Sequence, residues 1–62
     1  KGLADTNLAL AETYDYMGDT EKARIRYEMA IKFYSDLSNN VQAKDKYKEL
    51  LKKATDLLLL LD

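Results

Sequence analysis

Apolar and polar positions fall into three stretches, separated by sparse punctuation at Gly2, Gly18-Asp19 and Ser38-Asn39-Asn40. No proline interrupts them. In the first stretch Leu3, Leu10, Tyr14 and Met17 lie near one side of a helix, with Ala11 filling the seam. The spacing predicts a helix over residues 4–17, opened by Asp5 or Thr6 as N-cap. Gly18 fits the left-handed position just past its end.

Asp19 is the natural N-cap of a second helix, expected over 20–37. Ala23, Tyr27, Ala30, Ile31, Tyr34 and Leu37 share one arc, and Ile25, Met29 and Phe33 form a second row four apart. Two apolar rows imply two neighbours, so this helix is expected in the middle. Only Arg24, Glu28, Lys32 and Ser35 make a clean polar wedge.

The third helix, expected over 41–61 with Asn40 as its cap, has the clearest pattern. Ala43, Tyr47, Leu50, Ala54, Leu57 and Leu61 alternate three and four apart, and Leu51 and Leu58 widen the stripe. That stripe is expected to cover Ile25, Met29 and Phe33. Leu59 and Leu60 fall off it, and two surplus leucines suggest a weak homodimer through that end. Short turns make successive helices antiparallel. The fold read from the pattern is an all-α, antiparallel three-helix bundle in one domain spanning 1–62: a helical hairpin followed by a packing helix.

Composition acts mainly by exclusion. Histidine and cysteine are both absent, which removes His-based nucleophilic catalysis, His- or Cys-ligated metal sites and disulfides. Carboxylate pairs such as Asp5 with Glu12, or Asp15 with Asp19, have no visible pocket to desolvate them and read as solvated or capping groups. No catalytic residue, cofactor or metal is expected. Ten basic residues against eleven acidic ones give a net charge of −1, without the basic excess of a nucleic-acid binder. The longest apolar run, Leu57–Leu61, falls far short of the roughly 20 residues of a membrane span. With no apolar leader and no cysteine, a cytoplasmic location is expected. Charge is nevertheless uneven: residues 1–21 carry Asp5, Glu12, Asp15, Asp19 and Glu21 against Lys1 alone.

One set of spacings goes further. Leu10, Ala11, Tyr14, Gly18, Ala23, Tyr27 and Ala30 stand in the order and separation of the tetratricopeptide repeat (TPR) signature. Small residues at 11, 23 and 30 suit helices that approach closely, and Tyr14 and Tyr27 fill the volume beside them. The resemblance covers about 34 residues, the length of one such repeat. Two positions depart from it: Asn7 stands where a large apolar residue is expected, and Ser35 where proline usually ends the second helix. The chain also resembles the microtubule-interacting-and-trafficking (MIT) three-helix domain. Ala11, Asp15 and Ala23 fit its first hairpin, and Leu50-Leu51-Lys52-Lys53-Ala54-Thr55-Asp56-Leu57 is similar to its third-helix run. The segment from Ala23 to Ala54 is about two turns shorter than is usual in that family.

Both resemblances imply a non-catalytic module that binds a peptide or helix of a protein partner. The TPR likeness places the partner against the first helix, at Asp5, Leu8, Glu12, Asp15 and Tyr16. The Lys and Asn with which some TPR domains hold a terminal carboxylate would stand at Leu8 and Glu12 and are absent. An acidic row of this kind implies a basic or amphipathic partner. The MIT likeness implies instead an amphipathic helix touching Met29, Phe33 and Leu58. A third expectation, without a ligand, is the terminal piece of a longer solenoid.

Overall fold

A computed structural model describes residues 2–40 and 44–61, with Asn40 and Lys44 described by backbone alone. The protein is an all-α bundle of α1 (Leu3–Tyr16), α2 (Thr20–Asn40) and α3 (Lys44–Leu60). Among the described residues, α2 packs against both α1 and α3. It is the middle helix, as expected, but not because each apolar row meets a neighbour, since Ile25 and Met29 of the second row stay exposed. Asp5 shares a cleft with Lys46 and Glu12 stands beside Lys53, so α1 and α3 run in the same direction along one side of α2.

Each boundary has a local cause. Gly2 precedes α1 with φ 81°, and its carbonyl accepts the Thr6 N–H at 2.7 Å. The expected caps Asp5 and Thr6 therefore lie inside the first turns, and no side chain caps this end. At the other end Gly18 has φ 84°. The Gly18 N–H donates to the Asp15 carbonyl at 3.0 Å and the Asp19 N–H to the Tyr14 carbonyl at 2.9 Å, the paired bonds of a Schellman motif. The Asp19 carboxylate then accepts the Lys22 N–H at 3.2 Å and opens α2. Glycine is needed at 18 for its backbone alone, since an added Cβ would meet nothing within 4 Å.

The end of α2 departs from expectation. The helix runs through Ser38-Asn39-Asn40 rather than stopping at 37. Ser38 is buried, and its hydroxyl donates to the Ser35 carbonyl at 2.9 Å, so a residue that commonly breaks helices is satisfied within this one. The expected start of α3 at 41, its cap by Asn40 and the core position Ala43 lie outside the described residues.

The buried apolar core consists of Ala4, Leu8 and Ala11 from α1, Ala23, Tyr27, Ala30 and Tyr34 from α2, and Ala54 from α3. Five of these eight are alanines, so the backbones approach closely and two tyrosine rings supply most of the side-chain bulk. Tyr47, Leu50, Leu51, Leu57, Leu58 and Leu61 close over this core from α3, confirming the phase of its stripe. The phase of α1 needs correction. Its buried face is Ala4, Asn7, Leu8 and Ala11, whereas Leu3 and Met17 are exposed. The row Ile25, Met29 and Phe33 is likewise not covered by α3: Ile25 is 55% exposed and Met29 38%.

Asn7 is the one buried polar residue of α1. Its side-chain amide donates to the Leu3 carbonyl at 2.8 Å, and its Oδ1 accepts from Arg26 Nη1 at 3.0 Å. A polar group stands where the TPR pattern has an apolar one, and both of its ends are satisfied.

Two substitutions test this account. Gly18→Ala should cost about 1–2 kcal/mol, because alanine must adopt a left-handed backbone. Thermal unfolding should then show a midpoint lower by at least about 4 °C. Ala30→Leu should cost about 1–3 kcal/mol by overpacking a fully buried position, read as a lower urea midpoint at unchanged slope.

Candidate functional site

The acidic residues of α1 lie along the side that faces α3, and α2 explains why. Tyr34 and Tyr27 stand two turns apart on α2, fully buried, and their hydroxyls emerge between α1 and α3. The Tyr34 hydroxyl donates to Asp5 Oδ1, and the Tyr27 hydroxyl donates to Asp15 Oδ2 at 3.4 Å. Between them Glu12 Oε2 lies 4.0 Å from Lys53 Nζ of α3. The row is therefore held by one contact from the core at each end and one from the opposite wall at its centre.

Of the five residues expected to meet a partner, Asp5, Glu12, Asp15 and Tyr16 are exposed on one side of α1. Tyr16 is 94% exposed and continues the row at the end of the helix. Leu8 differs. At 7% exposure it is a core residue under the row, pressed down by the close approach of α1 to α2. It offers no open contact here.

The opposite wall was not foreseen. Lys53 faces Glu12, and Lys46 lies across a cleft from Asp5, with its ammonium 6.0 Å from the centre of the Tyr47 ring. That cleft measures about 580 Å³ and is floored by Tyr34 and Tyr47, whose ring centres are 6.3 Å apart at 32°. The groove thus has an acidic α1 wall and a lysine-bearing α3 wall. The sequence signal was present in the lysines of α3, but only tertiary packing sets two of them opposite these acids.

The surface implied by the MIT resemblance is divided. Phe33 shares a recess with Leu3 and Ala4, and Arg26 Nη1 reaches both Asn7 and the Met29 sulfur, so Phe33 and Met29 lie on the α1 side of α2. Leu58 is on α3 and half-buried. Leu59 and Leu60 are exposed at 71% and 79%, as their position off the stripe implied. Among the described residues no group of three or more potential ligands could hold a metal, and no helix is long and apolar enough to cross a membrane.

No protein-family model matches this chain, and neither a curated protein nor a solved structure does so significantly. The groove must be read from its own chemistry.

The tyrosine–aspartate pairs bear on pH. Burial, reinforced by the charges of Asp15 and Glu12 and the bond to Asp15, pushes Tyr27 from 10.0 up to about 12. Burial, followed by the bond to Asp5, raises Tyr34 as well. A raised folded-state value means that the neutral hydroxyl stabilises the fold fully below pH 10, and that this contribution is lost as pH rises through 12. Tyrosinate absorbance should show Tyr27 and Tyr34 ionising late, together with loss of helical circular dichroism. Tyr27→Phe should make the loss of stability across that interval shallower. Ionisation of Tyr27 and Tyr34 near pH 10 with helicity retained would contradict the assignment.

Proposed function

We propose that the chain is a non-catalytic protein–protein interaction module, and that its α1–α3 groove receives an amphipathic segment of a partner protein, with basic groups directed at α1. The observation that carries this reading is the alignment of Asp5, Glu12, Asp15 and the exposed Tyr16 on one side of α1. Both core tyrosines are spent anchoring two of these acids, which holds the carboxylates at fixed spacing before any ligand arrives. Tyr16 adds an amphipathic ring at the rim, a residue type favoured where one end of a contact is dry and the other wet. The lysine wall on α3 supports an orientation: a ligand's basic face turns to α1, and its acidic or neutral face to α3.

The repeat-like hairpin supports the same reading by resemblance. The spacing from Leu10 to Ala30 is that of a TPR hairpin, and Ala11, Ala23 and Ala30 are all fully buried. In TPR domains the first helix lines the binding groove, which here is the helix bearing the acidic row.

Chemical-shift mapping provides the test. A basic amphipathic peptide should perturb the amides of residues 5, 12, 15 and 16 more than a peptide with acids in place of the basic groups. Exposed ion pairs contribute about 0.2–1 kcal/mol each, so the double substitution Glu12→Lys/Asp15→Lys should weaken binding by roughly five- to tenfold. The weakening should diminish at high salt. Stronger binding of the acidic peptide, or shifts confined to α2 and α3, would overturn the proposal.

A further inference from the structure

Glu12, at the centre of the acidic row, differs from its neighbours in what holds it. Asp5 and Asp15 accept hydroxyls from Tyr34 and Tyr27, neutral donors that leave the carboxylate charge in place. Glu12 instead faces a cation, with Lys53 Nζ 4.0 Å from its Oε2. Helices α1 and α3 each pack on α2, so this ion pair reaches across the groove from one wall to the other. Its two roots are fixed, because the adjacent residues Ala11 and Ala54 are fully buried. Its charged ends are not: the side chains of Lys53 and Glu12 are 56% and 47% exposed. Lys53 also has an acid on its own helix. Glu49 stands four residues earlier and lines the same shallow recess, in the order of acid before base that suits a helix.

We propose, building on the groove as a site for a basic amphipathic segment, that Lys53 is a built-in competitor for Glu12, which the ligand must displace. In the free chain Lys53 offsets the central charge, and Asp5 and Asp15 attract a ligand from the two ends of the row. On binding, a basic group of the ligand takes Glu12, and the Lys53 ammonium turns to Glu49. One exposed ion pair is exchanged for two, so the displacement costs little. Selection follows from it. A segment with a neutral side chain opposite Glu12 cannot replace Lys53, and it meets the closed pair across its path.

Fluorescence anisotropy at low salt tests this with a labelled helical peptide bearing lysines on one face and only alanine and leucine on the other. Lys53→Met should tighten its binding by about two- to fivefold, the range that an exposed pair is worth. The gain should vanish when Glu12→Gln/Lys53→Met is compared with Glu12→Gln. Lys52→Met removes the same charge from the next residue, which pairs with Asp56, and should give no gain. Helical circular dichroism should be unchanged throughout, since these side chains are exposed. Binding that is unchanged or weakened by Lys53→Met, while Asp15→Asn still weakens it, overturns the competitor role and leaves the groove standing. An equal gain from Lys52→Met does the same. If neither Asp15→Asn nor Glu12→Gln weakens binding, the groove itself is not the site, and the competitor role falls with it.

Discussion

Two buried tyrosine rings on α2 hold this molecule together. With five alanines among the eight buried apolar residues, little else has the volume to fill the space between three helices. A buried tyrosine also carries a hydroxyl, and leaving it without a partner costs about 1–3 kcal/mol. The fold meets that demand by directing Tyr34 to Asp5 and Tyr27 to Asp15. The spacing of the acidic row on α1 is therefore tied to the requirements of the core. What a partner would meet at the surface and what keeps the helices in register are the same hydrogen bonds.

That dependence explains which features could be read from the residues. The turn at Gly18-Asp19 is local, set by a left-handed glycine and a capping carboxylate, and it stands where the pattern placed it. The stripe of α3 is also local, because a single helix face carries nearly all of its large apolar groups. The face of α1 was harder. Its apolar arc is broad, with large residues at 3, 10, 14 and 17 on one flank and small ones at 4 and 11 with Leu8 on the other. Size drew the reading to the large residues, whereas close helix approach buries the small ones. Nothing in the spacing marks Asn7 as buried, since its partner Arg26 is nineteen residues away.

The candidate site was legible by half. Helical spacing alone aligns Asp5, Glu12 and Asp15, and Tyr16 falls at the edge of the same row. Leu8 shares that spacing, yet it is turned inward by the contact with α2. Lysines on α3 were visible as a polar face, but their position opposite the acids depends on how two helices sit on a third. A charge row found on one helix is thus an incomplete description of a groove, because the groove has two walls.

Asp19 joins two structures that are usually built from separate residues. Its N–H closes α1 through the Tyr14 carbonyl, and its carboxylate opens α2 through the Lys22 N–H. No residue of the connection is left over to act as a pivot. Swinging α1 away from α2 would break the end of one helix and the start of the next together. The hairpin therefore opens and closes as one cooperative unit, and exchange of α1 between molecules would require melting both ends at once.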